Sequence, residues 1–248
     1  MENLLTLLAD QALPGEVQDV LIGLNWTAVV VEHEAGRRCG LAATLNGRDV
    51  HGDQPEIPGA GALRGRPVSD LLAWLTDGVS PRKSLAMAAL NAALPPLPFE
   101  GEARNAVDLI LQRGRERRVA LVGHFPFTGR LRARISHLDV LEKRPRPGDL
   151  PAEAADRVLP RADLVVITAM TLMNHTFEGL LRLCNPEAQV MLLGPSTPLS
   201  PLLFDLGVTM LAGAQVRDIP AALRVIAEGG NFRQVRRAGV DLLIYRRA

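Results

Sequence analysis

Arg118-Val-Ala-Leu-Val-Gly-His-Phe-Pro126 is the stretch whose reading decides the fold. Residues 119–122 are consecutive and apolar, too few for a helix and rich enough in valine for a strand. Gly123 ends the run at once. A strand buried on both faces that passes directly into a glycine turn is how a parallel sheet brings its chain toward a ligand. Leu164-Val-Val-Ile-Thr168 and Val190-Met-Leu-Leu-Gly194 repeat the form, and all three runs end in loops of small or polar residues.

Outward from this stretch, strand and helix patterns alternate to the end of the chain. Strands are expected at 119–122, 137–141, 164–168, 190–193, 208–212 and 240–245. Helices are expected near 129–134, 151–158, from 174 or 176 to 183, 201–206 and 219–228, with residues 143–150 as Pro-rich loop. Such alternation means a parallel sheet with helices on both faces, an α/β unit. Toward the N-terminus the pattern differs. A helix over 1–13 precedes three closely spaced strands at 17–23, 26–32 and 37–45, most simply antiparallel hairpin partners. Residues 46–66, with Asn46-Gly47, Pro55, Pro58 and several glycines, read as loop. Helices follow at 67–75 and 82–93, the second opened by Ser80 as N-cap and Pro81 in the first turn. Strands first and helices second make an α+β domain. The composition break at 95–104 reads as a linker, giving domains 1–98 and 99–248. Residues 105–113 form a helix leading into the second.

The 248 residues are 47% hydrophobic, enough for ordinary buried cores. No apolar run approaches the roughly 20 residues that cross a bilayer. The first ten residues look like an amphipathic helix and not a signal peptide, so a cytoplasmic location is expected. A net charge of +1 gives no global electrostatic case for nucleic acid. The two cysteines, Cys39 and Cys184, form no CxxC pair and read as buried thiols.

In an open α/β sheet, ligands bind beyond the carboxyl ends of the strands. That rule selects five loops. The first holds Gly123, His124 and Phe125, without a GxGxxG fingerprint; it is either a tight turn or a rest for a small polar or nucleotide-like ligand. The second is Glu142, at the offset where a dinucleotide-binding unit places its ribose acid, though Lys143 and Arg144 beside it equally suit a solvated salt bridge. The third runs from Thr168 through Thr171 and Asn174 to Thr176, where hydroxyls and an amide either cap a helix or meet a ligand. The fourth is Gly194-Pro-Ser196-Thr197-Pro, stiffened by its prolines and so ordered at little entropic cost. Residues 213–218 form the fifth. Among the five histidines there is no HxxxH or HExxH pair, and no Cys–His spacing resembles a zinc site. His124 and His175 lie in the selected loops and are the candidate metal ligands, with Cys184 as a sulfur candidate. No G-x-S-x-G elbow or P-loop is present, which lowers hydrolase and ATPase readings.

Val-Gly-His-Phe-Pro-Phe127, Ala-Asp-Leu-Val-Val-Ile-Thr168, Thr171-Leu-Met-Asn174-His-Thr176 and Leu-Gly-Pro-Ser-Thr-Pro198 together resemble the DUF364 family, labelled for heavy-metal chelation. Gly23-Leu-Asn-Trp-Thr27, Cys39-Gly-Leu-Ala-Ala-Thr44, Gly65-Arg-Pro and Ala88-Ala-Leu-Asn91-Ala are similar to its N-terminal partner, DUF4213. The resemblance implies a Rossmann-like C-terminal domain, a smaller N-terminal domain like the enolase N-terminal fold, and a binding cleft between them. It implies a small-molecule or metal ligand.

Three functions stay open. The first is a metal-homeostasis protein binding a heavy metal or metal–chelator complex, with His124 the foremost ligand. The second is an enzyme using a nucleotide-type cofactor, S-adenosylmethionine or NAD(P), with Gly123 and Glu142 on the adenosine part and Thr171, Asn174, Ser196 and Thr197 toward the reacting group. The third is a non-catalytic sensor or assembly partner. Asn91 joins the candidate residues if it faces the Gly-Pro-Ser-Thr loop. The sequence names no reaction and leaves the oligomeric state open, a homo-oligomer included.

Overall fold

A computed structural model describes residues 3–45 and 56–247 of the protein. Residues 46–55, the first part of the expected 46–66 loop with its His51, lie outside the described residues. In chain order the elements are α1 (Leu4–Ala9), β1 (Glu16–Ile22), β2 (Trp26–His33), β3 (Gly36–Ala43), α2 (Val68–Leu72), α3 (Pro81–Ala93) and α4 (Ala106–Arg113). Next come β4 (Arg118–Val122), α5 (Thr128–Arg132), β5 (His137–Glu142), β6 (Leu150–Pro151), α6 (Ala155–Val158) and β7 (Leu164–Thr168). The last part holds α7 (Met170–Met173), α8 (Phe177–Leu183), β8 (Gln189–Leu193), α9 (Pro201–Asp205), β9 (Met210–Val216), α10 (Ile219–Ala227), α11 (Phe232–Arg237) and β10 (Val240–Arg246). None of the described helices is long and apolar enough to cross a membrane.

The chain divides into two compact units. One comprises Met1–Pro98, Pro195–Ser200 and Gly213–Leu242; the other comprises Phe99–Gly194, Pro201–Ala212 and Leu243–Ala248.

The first unit contains an antiparallel sheet in the order β1-β2-β3. Its central strand carries Ala28-Val-Val-Val31, all buried. The register explains why both faces of this strand are apolar. Ala28 pairs with Leu41, and both pack with Ala222 and Ile226 of α10 and Val235 of α11. Val29 pairs with Gly40, which points the other way, toward α3. A β-carbon on Gly40 would sit 2.0 Å from the Ala88 carbonyl oxygen and 2.4 Å from the Ala92 nitrogen. The glycine and the alanines of α3 (Ala86, Ala88, Ala89, Ala92 and Ala93, all buried) let helix and strand approach backbone to backbone. Helix α3 begins with Pro81 after the N-cap Ser80, as expected, but the Ser80 hydroxyl makes no capping bond.

The second unit is an α/β layer structure on a large, mostly parallel sheet, in the order β10-β9-β8-β7-β4-β5-β6, to which β9 contributes residues 210–212 and β10 residues 243–246 of this unit. The pairs β6–β5, β5–β4, β4–β7, β7–β8 and β8–β9 are all parallel. Val119, Leu121, Val140, Leu164, Val166 and Met191 from these strands meet Leu109 and Ile110 of α4 in one core.

The structure departs from the sequence expectations in four places. The 143–150 loop leads into a two-residue strand, β6, whose Leu150 and Pro151 pair with Leu141 and Glu142. The polar stretch 168–176 contains the helical turn α7. Strand β9 runs to Val216, so residues 213–216 of the fifth candidate loop are strand instead. Helix α11 was not expected from periodicity. Its signal is a capping box, in which the Asn231 side chain accepts from the Gln234 N–H and the Gln234 side chain accepts from the Asn231 N–H.

Gly40→Ala should destabilise the protein by roughly 3 kcal/mol, because overpacking here strikes backbone that cannot rotate away. Gly78→Ala, where nothing lies within 4 Å of the added carbon, should change stability by less than about 0.5 kcal/mol. Urea denaturation of the two variants checks the contrast.

Candidate functional site

From β4 the chain moves to β5 and β6 on one side; β7 then returns to the other side of β4 and β8 and β9 continue outward. The loops leaving β4 and β7 therefore diverge, and a crevice opens beyond their carboxyl ends. A pocket of about 700 Å³ lies there. Gly123, His124 and Phe125 line it from the loop after β4, and Glu142 and Lys143 from the end of β5. Thr168, Met170, Thr171, Asn174 and Thr176 line it from β7 and the turn beyond, with Glu153 and Leu180 completing the wall.

Several of these residues are held by identifiable contacts. Gly123 has φ +102°, and a β-carbon there would lie 2.9 Å from the Thr168 methyl. Both the backbone conformation and the space require glycine where β4 turns beside β7. The next N–H, of His124, donates to Glu142 Oε2 at 2.9 Å, while Glu142 Oε1 accepts from the Lys143 N–H at 2.8 Å. Glu142 thus ties the β4 loop to the end of β5. The Phe125 N–H donates to Thr128 Oγ1 at 3.0 Å, and the Phe125 and Phe127 rings stack with centroids 5.0 Å apart.

His124 Nδ1 lies 3.1 Å from Asp149 Oδ2, and Asp149 Oδ1 accepts from Arg132 Nη2 at 2.5 Å. The Asp149 side chain is fully buried and also accepts from the Arg146 N–H at 3.0 Å. Burial opposes its ionisation, but the Arg146 N–H, the Arg132 guanidinium and His124 outweigh it and hold the carboxyl below the usual range. His124 Nε2 has no partner among the described residues. Sequence reading missed Asp149 and Arg132. The signal was the Arg-Pro-Gly-Asp149 turn, but its partner His124 is 25 residues away and no spacing rule links them.

Across the pocket, Thr171 Oγ1 donates to the Thr168 carbonyl at 2.7 Å. Asn174 Oδ1 accepts from Thr176 Oγ1 at 2.5 Å and from the Thr176 N–H at 3.3 Å. Its amide nitrogen is left as a donor without a partner among the described residues. Thr176 precedes α8 in the N-cap position without a side-chain capping bond.

Gly123, His124, Phe125, Glu142, Thr168, Thr171 and Asn174 thus come together around one pocket. The remaining candidates lie elsewhere. Gly194, at the end of β8, donates its N–H to the Ala212 carbonyl at 3.0 Å. Ser196 and Thr197 are buried in the first unit, where Ser196 Oγ accepts from the Ala43 N–H at 2.9 Å. Asn91, in the same unit, donates to the Leu41 carbonyl at 2.8 Å. Asn91 Oδ1 and Thr197 Oγ1 are both buried without a hydrogen-bond partner among the described residues.

His175 is exposed, adopts φ +59°, and is not among the residues lining the pocket. Burial pushes the Cys184 thiol up to about 11, and its Sγ faces the Leu180 carbonyl, so it is a protonated, hydrogen-bonded thiol. Burial, with Asp19 adding to it, pushes Cys39 up to about 12. Among the described residues no group of three or more His, Cys, Asp or Glu is placed to hold a metal ion.

Asp149→Asn should cost about 2 kcal/mol at neutral pH, since it removes a buried anion shared by Arg132 and His124. The lowered carboxyl gives the pH dependence. Its stabilisation is complete above the unfolded value of about 3.9 and is lost as pH falls toward the folded value. The stability gap between wild type and variant, read from denaturation curves, should therefore be constant from neutral pH to about pH 5 and shrink below about pH 4.

The fold is shared with solved structures. A DUF364 protein of unknown function from Desulfitobacterium hafniense DCB-2 superposes with a TM-score of 0.79 at 23% identity, covering 98% of this chain and 97% of that one. One from Pyrococcus horikoshii gives 0.78 at 23% identity, covering 98% and 96%. An uncharacterized protein of Methanocaldococcus jannaschii is 25% identical over 230 residues, which is 90% of this chain and 87% of the relative. The DUF4213 family model matches residues 6–94 and the DUF364 model residues 105–243, each described as "Putative heavy-metal chelation". By the length of that second match, and with a DUF4213 region before it, the chain belongs to the DUF364 family.

Proposed function

We propose that the protein binds a heavy metal already complexed by a small organic chelator, in the pocket beyond β4, β5 and β7. The observation that carries this reading is the donor set. The pocket is large, about 700 Å³, and it presents one imidazole and several hydrogen-bonding groups where a bare ion needs a converging cage. Asp149 engages His124 Nδ1, the carboxylate–histidine arrangement that orients a ring and leaves Nε2 for a metal. In this reading Nε2 takes one open coordination position of the incoming complex. Lys143 and the Asn174 amide receive the acidic arms of the chelator, and the stacked Phe125 supports its apolar part.

The strand order around β4 supports describing the second unit as Rossmann-like, and we extend the proposal to an enolase N-terminal-like first domain over 1–98 followed by a domain over 99–248. The same strand order favours a second reading, an enzyme that uses S-adenosylmethionine or NAD(P) above Gly123. Glu142 would then contact ribose with oxygens that already accept two backbone N–H bonds.

Thermal shift and calorimetry on chelator-stripped protein separate these readings. Nickel citrate should bind more tightly than free nickel or free citrate, and His124→Ala should weaken it by about tenfold. A native-state ligand at 100 times its dissociation constant stabilises by about 2.7 kcal/mol, a readable shift. Binding of nickel citrate no tighter than its components would remove the proposal. A response to S-adenosylmethionine or NAD(P) alone would establish the second reading instead.

A further inference from the structure

We infer that the second unit carries another binding site, for a phosphate-bearing small molecule, at the amino-terminal ends of β4 and β5. This goes beyond the reading above, because it concerns the opposite ends of the same strands.

A concavity of about 580 Å³ lies there, bounded by Arg118 and His137, which open β4 and β5, and by the helical turn that carries Arg157 and Arg161. Its floor is apolar, made by the half-buried Leu138 and Val158. The guanidinium groups of Arg118, Arg157 and Arg161 make no hydrogen bond or ion pair among the described residues. Some arginines elsewhere are ion-paired, Arg130 with Asp108, Arg132 with Asp149 and Arg217 with Asp241; what sets Arg118, Arg157 and Arg161 apart is that they line one concavity. Asp163 is next to this region in sequence, yet its carboxylate accepts the Arg118 backbone N–H at 2.9 Å and leaves the Arg118 side chain free.

Three cations lining one concavity without an ion pair give it a positive potential that favours an anion. Guanidinium forks match phosphate oxygens in pairs, which favours phosphate over a lone carboxylate. The lining also includes Asp139, whose carboxylate has no partner among the described residues. It would accept from a hydroxyl or amino group of the ligand and would repel a second anionic end. The site therefore fits a compact molecule with phosphate at one end, an apolar or ring portion on Leu138 and Val158, and a donor facing Asp139.

Inorganic pyrophosphate serves as the first probe and adenosine 5′-diphosphate as the second, each titrated calorimetrically into the whole protein at low salt. Wild type should bind both, the diphosphate nucleoside more tightly because its ring reaches the floor. Arg157→Gln/Arg161→Gln should weaken both by at least about tenfold, with an unchanged melting temperature in the absence of ligand. Arg236→Gln/Arg237→Gln, on α11, removes the same charge elsewhere and should leave affinity within about twofold. Equal weakening by the two double variants would reduce the site to general electrostatics, and no binding to wild type at millimolar concentration would overturn it. Failure here is distinguishable from failure of the metal–chelator reading, because His124→Ala should leave pyrophosphate affinity unchanged.

Discussion

Strand β4 is hydrogen-bonded to a parallel neighbour on each edge, to β5 in register from Arg118–His137 to Val122–Leu141 and to β7 from Val119–Leu164 to Val122–Ile167. The second unit depends on this double pairing. A strand enclosed in this way must be apolar on both faces, which is why residues 119–122 read as one unbroken run. It must also leave the sheet sharply, because both neighbours continue past it. Gly123 meets that demand with a positive φ and no side chain to strike Thr168. The crevice beyond β4 is thus a consequence of topology and one glycine.

Electrostatics then fix what the crevice presents. Glu142 and Asp149 are acids with different tasks, set by their partners. Glu142 receives two backbone N–H bonds and acts as a clasp between loops. Asp149, withdrawn from solvent, stays ionised because Arg132, His124 and the Arg146 N–H surround it. Its position orients the His124 ring, so the chemistry available at the pocket mouth is decided by a residue that does not line the pocket. At the other end of β4 and β5, Arg118, Arg157 and Arg161 line one concavity with no ion pair among the described residues.

The first unit rests on a different constraint, close approach. Gly40 and the alanines of α3 bring helix and sheet together on one face of β2, while α10 and α11 cover the other through Ala222, Ile226 and Val235. Trp26 and Phe232 tilt against each other at 5.1 Å at the margin of that second layer. Helices from late in the chain therefore complete a core begun by its first strands. The valine run of β2 announces burial on both faces, but nothing local says which later segment provides the cover.

The sequence by itself determined the alternation of strands and helices after residue 118, the antiparallel character of the first three strands, and the strand ends near which Gly123, His124, Glu142, Thr171 and Asn174 lie. These are legible because burial periodicity and glycine turns are local properties, written within a few residues. Only the tertiary structure decided that β7 returns to the far side of β4, that Asp149 and Arg132 stand behind His124, and that Ser196 and Thr197 are buried in the first unit. It alone placed the short strand β6 beside β5. Those outcomes depend on contacts between segments far apart in the chain, where hydrogen-bond geometry and buried charge choose the partner and adjacent residues carry no trace of the choice.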